Sequence, residues 1–131
     1  MLVFYCSACN KLCQKPNIDF NSCIIDSAQL ENALIGVWDW TQNKSGWVRG
    51  QVSNPCKNHL NKRWEFYASR SYKYFENGTL TFEGTYSLSV HDSITYLFDH
   101  PYGNEIKICE NYLVMVGPGS ESDTEIYLKR K

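Results

Sequence analysis

Residues 79–90 carry the clearest alternation of hydrophobic and polar positions in the chain. Period two over twelve residues predicts one half-buried β-strand. The Asn77-Gly78 pair before it lies between two apolar runs and tolerates the positive φ values of a tight turn, so it predicts a β-hairpin. The residues that share the apolar face of the predicted strand are Leu80, Phe82, Gly84, Tyr86, Leu88 and Val90.

Further short apolar segments, separated by turn residues, occur on both sides of this hairpin. Upstream they are GVWDWTQ, GWVRGQV and RWEFYA, and downstream they are SITYLFD, NEIKICE, YLVMVG and TEIYLKR. Consecutive short strands joined by turns form an antiparallel up-and-down meander, and closure into a barrel removes the unpaired edges of such a sheet. The pattern therefore predicts an all-β barrel of roughly eight strands.

One short helix is predicted before the first strand. Asp26 can cap it, Leu30 and Leu34 share one face, and Gly36 ends it. No second helix is predicted after Gly36. Residues 10–25 show no clear period and are interpreted as a linker, so that residues 1–25 form a signal-like segment and tether and residues 26–131 form the barrel domain.

Composition and charge narrow the range of partners. The chain has 131 residues, enough for one domain, with 43% hydrophobic and 15% aromatic residues and a formal net charge of -1. A nucleic-acid partner is not predicted, because nucleic-acid binders normally carry a basic stripe. No apolar run approaches the ~18 residues of a spanning helix.

The first residues resemble the end of a bacterial secretory signal. The apolar run Leu2–Tyr5 is followed by Ser7 and Ala8 directly before Cys9, an order that suits a signal peptidase cutting ahead of a cysteine. Cys9 would then carry lipid and provide the only membrane attachment. This interpretation predicts an extracytoplasmic, lipid-anchored protein of the bacterial cell envelope.

The other cysteines favour disulfides over a metal site. The Cys6-x-x-Cys9 pair lacks the matching second pair of a zinc site, so no metal is predicted. In an oxidising compartment the remaining four can form up to two disulfides, with three pairings open. These are Cys13, Cys23, Cys56 and Cys109.

Residues 33–131 resemble the small lipocalin-like lipoproteins of bacteria. The resemblance rests on Gly36-x-Trp38 after a short helix, on the hairpin YKYFENGTLTFEGTYSL and on the ending TEIYLKRK. It implies that Gly36, Trp38 and Arg130 close the barrel, with the tryptophan plugging one end and the guanidinium lying over its indole. Such a contact stabilises by roughly 0.5–2 kcal/mol.

The interior of the predicted barrel leaves two interpretations open. Eight strands leave room either for filling side chains or for one small ligand. In the first interpretation a small apolar or amphipathic ligand contacts four inward residues near the mouth, and Gly84 either bends its strand or makes space. In the second the aromatic residues fill the interior. The predicted ligand contacts are Trp40, Tyr74, Tyr86 and Tyr96, among inward positions that also include Tyr72, Phe82, Ile94, Phe98, Ile106, Ile108, Leu113, Met115, Ile126 and Leu128.

No arrangement of catalytic residues is recognisable. His59, His91 and His100 lie in loops or turns, without a cysteine or serine nucleophile motif beside them. We therefore predict no enzyme, no cofactor and no metal. The function is predicted to be ligand carriage in the barrel; the alternative is a filled barrel that binds or inhibits another protein through loops such as SNPCKNHLNKR and GPGSESD. The oligomeric state is left open.

Overall fold

The computed structural model describes residues 12–48, 50–98, 103–118 and 122–131. They form mostly antiparallel β-sheet with short helices. The helices are α1 (Ser27–Leu34) and α2 (Pro55–Asn58), and a 3-10 turn spans Phe20–Ser22. The strands are β1 (Gly36–Lys44), β2 (Val52–Ser53), β3 (Lys62–Phe66), β4 (Ser71–Glu76), β5 (Thr79–Thr85), β6 (Leu88–His91), β7 (Ile94–Leu97), β8 (Asn104–Cys109), β9 (Tyr112–Val116) and β10 (Thr124–Lys129).

The ten strands belong to one sheet whose two end strands do not pair. Its order is β5-β4-β3-β1-β10-β9-β8-β7-β6, with β2 beside β1. The prediction of an antiparallel β-sheet is confirmed, but the sheet has ten strands rather than about eight and β5 does not close onto β6. The two residues that link β5 to β6 are hydrogen-bonded to other segments of the chain. The Tyr86 N–H donates to the Arg70 carbonyl before β4, and the Phe98 N–H after β7 donates to the Ser87 carbonyl, each at 2.8 Å.

The strand predicted over residues 79–90 is two strands in the structure. The Asn77-Gly78 turn before it is confirmed, with φ values of 50° and 78°. A β-bulge shifts the register, so that Phe82 pairs with Tyr74 while Leu80 pairs with Phe75. Leu80 and Phe82 therefore lie on opposite faces rather than together. All seven residues of β5 are exposed, because this strand has β4 on one side and no packed layer on either face.

The hydrophobic core lies on the face of the sheet that carries Trp38, here called the core face; the face that carries Asp39 is the outer face. Helix α1 packs on this core with Leu30 and Leu34, and the Asp26 carboxylate accepts from the Ala28 N–H as predicted. None of the described helices is long and apolar enough to cross a membrane. The buried cluster contains Leu30, Leu34, Trp38, Trp40, Phe66, Tyr86, Leu97, Ile106, Ile108, Leu113, Met115 and Tyr127.

Two strands present the opposite face from the one predicted. In β7 the buried residues are Thr95 and Leu97, so Ile94 and Tyr96 point to the outer face. In β10 the core residue is Tyr127, which pairs with Trp40. Because side chains alternate, an error of one residue reverses the whole strand. Ile126 and Leu128 are therefore also outer-face residues, although Ile126 is buried.

Two disulfides join the segment before α1 to the sheet. They pair Cys13 with Cys56 and Cys23 with Cys109, which selects one of the three pairings left open. The Ile24 N–H also donates to the Ile108 carbonyl at 2.9 Å. The described part of the predicted tether, residues 12–25, is thus covalently linked to α2 and to the sheet. Disulfides are compatible with an extracytoplasmic location.

Helix α2 was not predicted, although its signals are present in the sequence. Asn54 caps it by accepting from the Lys57 N–H at 2.7 Å, and Pro55 occupies its first position. Proline suits the first turn of a helix because its missing N–H would have no intrahelical partner there. With only four residues, α2 is too short to show a helical hydrophobic period. The helix contains Cys56, which forms the disulfide with Cys13.

Candidate functional site

Trp38, which the resemblance assigns to barrel closure, lies buried against the end of α1. Its side chain is fully buried, and its indole Nε1 donates to the Leu34 carbonyl at the end of α1, at 2.8 Å. Gly36 enters the strand with a φ of +139°, and a Cβ there would lie 3.1 Å from Cε of Lys129. Glycine is required at this entry both by the backbone conformation and by the close side chain.

The cation over Trp38 is Lys129 rather than the predicted Arg130. Nζ of Lys129 lies 5.4 Å from the centroid of the indole and donates to the Ala33 carbonyl at 3.2 Å. Lys129 is the direct cross-strand partner of Trp38. Arg130 is one residue further, so its side chain points to the outer face and pairs there with Asp39.

Three of the four predicted ligand contacts belong to the filled core. Trp40, Tyr74 and Tyr86 expose only 2%, 8% and 5% of their surface. Tyr96 lies on the opposite face of β7 and is not brought together with them. Gly84 does not open space either, because the ring of its cross-strand partner Tyr72 lies 3.4 Å from the position of a Cβ. The structure therefore does not bring these four residues together on one face of the sheet.

Several polar side chains on the core face are paired with one another, whereas the buried indole Nε1 of Trp40 has no hydrogen-bond partner among the described residues. Nζ of Lys62 lies 3.1 Å from Oε2 of Glu125 and 4.7 Å from the centroid of the Trp40 ring. The Tyr127 hydroxyl donates to the same carboxylate oxygen at 3.2 Å, and burial followed by the Glu125 charge raises its pKa. Burial and a hydrogen bond to Glu76 likewise raise the pKa of Tyr74. Both phenols stay protonated, so they act as hydrogen-bond donors and not as bases.

A cleft of about 810 Å³ crosses the outer face. Its floor is a continuous row of cross-strand partners that runs over five strands, from β9 through β10, β1 and β3 to β4. Two charged side chains lie next to each other at its centre, with a ring and an alkyl side chain on one side of them and a ring on the other. The row consists of Tyr112, Leu128, Asp39, Arg63 and Phe75, all of which line the cleft.

Arg63 is the best-positioned cation on this floor. Its Cζ lies 4.0 Å from the centroid of the Phe75 ring, and its Nε donates to Oε2 of Glu65 at 2.8 Å. Among the described residues its two terminal nitrogens have no hydrogen-bond partner. An aromatic ring and a carboxylate thus fix the plane of the guanidinium while its outer N–H groups remain for an acceptor.

Asp39 and Arg130 form a bidentate pair at the other side of the row. Oδ2 and Oδ1 of Asp39 accept from Nε and NH2 of Arg130 at 2.9 and 2.7 Å. This hydrogen bonding raises the pKa of Arg130. Both guanidinium groups of the row are thus ion-paired, but Arg63 is paired with Glu65 through Nε alone and keeps its terminal nitrogens available for an acceptor.

The described residues that line the cleft have an excess of basic groups. Six of them are Lys or Arg and two, Asp39 and Glu110, are acidic. The ammonium groups of Lys62 and Lys129 are directed to the core face. The other four basic residues are Lys15, Arg63, Arg130 and Lys131. The rim of the cleft therefore favours an anion over a cation.

The comparisons with known proteins add no further constraint. No protein-family model, curated protein sequence or solved structure matches this chain. Function must be argued from the site itself.

The remaining candidate residues do not assemble into a second chemical centre. His59 follows α2, and His91 ends β6 in ring contact with Tyr96. Within the described ranges, no three histidine, cysteine or acidic residues come together as a metal site. The predicted lipidation residue Cys9 and His100 lie outside the described residues. The lining of a second cleft includes Gln14, Thr41 and Trp47.

Arg63, Phe75 and Tyr112 of the outer-face cleft were missed because alternation predicts one buried face for each strand. Trp40, a predicted ligand contact, does line the cleft. A signal was nevertheless present in SYKYFE, where Tyr74 and Phe75 place aromatic rings on both faces of β4. A strand that is apolar on both faces indicates a second buried or binding surface. The neighbouring Arg63 and Asp39 then mark that surface as polar at its centre.

Proposed function

We propose that this chain is a non-enzymatic binding protein that holds a small amphipathic anion in the outer-face cleft. The observation that carries the proposal is the stacked and anchored Arg63 on an apolar floor. Its terminal N–H groups can bind a carboxylate or phosphate, while Phe75 and Leu128 accept an apolar tail. The volume of about 810 Å³ falls within the range of small-molecule sites.

The filled core supports this location over the predicted lumen. Trp40 and Tyr86 belong to the buried cluster that also contains Leu30 and Leu34 of α1, and Tyr74 is buried as well, so a ligand on the core face would have to displace buried aromatic rings. On the outer face an apolar floor is already open to a ligand. The type of ligand predicted from the sequence is thus retained, and its position is moved from the interior to the cleft.

The experiment compares two amphiphiles of equal chain length and opposite charge. The full chain is titrated with decanoate and with decyltrimethylammonium by isothermal titration calorimetry, below the micelle concentration of each. We expect decanoate to bind and the cation to bind at least tenfold more weakly. Arg63→Gln should weaken decanoate binding about tenfold, since hydrogen bonds between charged groups stabilise by roughly 1.5–3 kcal/mol.

Lys107→Gln is the matched control, because it also removes one exposed cation but lies away from the cleft. Equal binding of both amphiphiles, or equal effects of Arg63→Gln and Lys107→Gln, would refute the anion site. If neither amphiphile binds, the alternative of a protein-interaction or inhibitor module acting through loops is favoured. The exposed Trp47 and Val48 in the β1–β2 loop support that alternative.

We further propose that the chain is a lipocalin-like lipoprotein of the bacterial envelope, anchored through Cys9. Two disulfides and the position of α1 against one end of the sheet support this architecture and location. The anchored form should begin at Cys9 and carry the mass of attached lipid in intact-mass spectrometry after expression in a Gram-negative envelope. Cys9→Ala should release it from the membrane fraction, and an unprocessed wild-type chain would contradict the proposal.

A further inference from the structure

A β-bulge in β1 turns a glutamine side chain away from the core face. Trp40 pairs with Tyr127 of β10. The next pair joins Gln42 to Ile126, so β1 advances by two residues while β10 advances by one. In an unbroken ladder Gln42 would share the face of Trp40, because side chains alternate. The bulge instead places Gln42 on the outer face with Ile126. Bulges that re-aim a side chain in this way are common next to functional sites.

The side chain that the bulge re-aims is buried and has an unused amide. Gln42 exposes 6% of its surface, and its amide makes no hydrogen bond to any described residue. A glutamine amide offers donors and an acceptor, and a buried polar group without partners destabilises the fold. Gln42 lines the second cleft. A ligand in that cleft would supply the partners that the described protein groups do not.

The second cleft has a volume of about 810 Å³ and is lined by β1, the β1–β2 loop and the segment before α1. Besides Gln42, three further amide side chains contribute to its lining, whereas none of the described lining residues is acidic. Amides suit neutral hydroxyl groups, because both kinds of group donate and accept. The three further amides are Gln14, Gln51 and Asn54.

An exposed indole also contributes to the lining of the second cleft. Trp47 is 76% exposed, and no ring or cation of the described residues is in contact with its face. Hydrogen bonds hold the loop that carries it. Oγ of Ser45 accepts from the Trp47 N–H at 3.1 Å, and Oδ1 of Asp123 accepts from the Gly46 N–H at 3.0 Å. The indole is therefore held near its position before a ligand binds, which lowers the entropic cost of binding.

We propose that the second cleft binds a saccharide, with one pyranose ring against Trp47 and its hydroxyl groups hydrogen-bonded to the Gln42 amide. The face of an aromatic ring carries negative charge density, and the C–H groups on one face of a pyranose are weakly positive, so the two surfaces attract each other. A nucleobase also stacks on indole, but its polar groups lie along its edges in one plane. The amides of the cleft come from several segments of the chain, which suits hydroxyl groups spread around a sugar.

The saccharide site is independent of the anion site proposed above. Arg63 does not line the second cleft, and neither Gln42 nor Trp47 lines the first. Gln14 and Lys15 line both clefts and are therefore left unchanged in the test. Failure of one site leaves the other proposal intact.

The test follows the indole N–H signal of Trp47 in nitrogen–proton correlation spectra of the full chain. The chain is titrated with cellotetraose, maltotetraose and chitotetraose. We expect at least one of these tetrasaccharides to shift the signal saturably. Sorbitol, an open-chain polyol without a ring face, should leave it unchanged at the same concentration of hydroxyl groups. A signal that responds equally to sorbitol, or to adenosine and to none of the tetrasaccharides, would overturn the proposal, as would no response at all.

Calorimetry with the tetrasaccharide that binds then compares variants. Trp47→Ala should raise the dissociation constant by about tenfold, because truncation of a tryptophan at a binding site removes a large contact. Val48→Ala is the matched control: Val48 lies in the same loop and is exposed, but it does not line the cleft. Val48→Ala and Arg63→Gln should each leave the dissociation constant within about twofold. Equal effects of Trp47→Ala and Val48→Ala would refute the site.

Gln42→Met separates a ligand-binding amide from a structural one. Methionine has a similar length but lacks the amide donors. We expect saccharide binding to weaken by about tenfold, since the hydrogen bonds to the ligand are lost. The urea midpoint of unfolding should not fall, because the wild-type amide has no partner among the described residues. A Gln42→Met variant that binds normally, or one that is clearly less stable than the wild type, would overturn the assignment of this amide to a ligand.

Discussion

Removing the Cys23–Cys109 disulfide by the double substitution Cys23→Ala and Cys109→Ala should lower the free energy of unfolding by about 4 kcal/mol. The bridge spans 86 residues, and loop-closure entropy for such a span predicts about 4.6 kcal/mol. It also fixes the residues just before α1 against β8, where Cys109 is buried. Urea unfolding followed by circular dichroism measures the change.

The Cys13–Cys56 bridge is the matched comparison. It spans 43 residues, half as many, so its loss should be less costly by roughly 0.6 kcal/mol on entropic grounds. Its two cysteines are half-buried or exposed, so their replacement by alanine adds little loss of packing to the free energy of unfolding. A larger loss from Cys13→Ala with Cys56→Ala than from the Cys23–Cys109 pair would contradict the assignment of the main structural role to the longer bridge.

Truncation of Trp38 should be similarly damaging. Trp38→Ala removes the largest side chain at the closed end of the core and leaves the Leu34 carbonyl without its indole donor. Substitutions of buried large aromatic residues by alanine cost about 3–5 kcal/mol. Trp38→Phe keeps part of the ring volume but loses the hydrogen bond, so its effect should be intermediate. Urea unfolding again gives the values.

Trp47→Ala supplies the control for that series. Trp47 is 76% exposed in the β1–β2 loop, so its removal should change the free energy of unfolding by less than about 0.5 kcal/mol. If Trp38→Ala and Trp47→Ala were equally mild, Trp38 would not be the residue that seals the core. The two substitutions remove the same atoms and differ only in burial.

Local signals in the sequence predicted local structure well. Asp26 begins α1, the Asn77-Gly78 pair forms the β4–β5 turn, and Gly36 precedes the buried Trp38. Each of these depends on a residue type whose backbone or side-chain chemistry is nearly unique. These local signals therefore do not depend on how the strands pair in the sheet.

Strand orientation was harder to predict, because both faces of several strands carry apolar residues. Ile126, Tyr127 and Leu128 are consecutive, and alternation alone does not show which of them faces the core. The cross-strand pair of Trp40 with Tyr127 settles it in the structure. The same ambiguity placed Arg130 over Trp38, although its neighbour Lys129 is the residue in register.

The candidate site depended on information that no single strand contains. The cleft floor is assembled from residues of five strands that become neighbours only in the sheet order. Closure of the predicted meander would place β1 beside the last strand, and β1 does pair with β10, but the prediction put the GWVRGQV segment rather than β3 on the other side of β1. The cleft could therefore be located only after the pairing of the strands was known.

The two disulfides have a consequence for the chain when it is cut. Both bridges enclose the β1–β2 loop, since one joins positions 13 and 56 and the other positions 23 and 109. A protease that cleaves beside the exposed Trp47 would leave two fragments that are still doubly linked. β1 would also keep its pairing with β3 and β10. The product of such a nick is a two-chain molecule of unchanged architecture, separable only by a reductant.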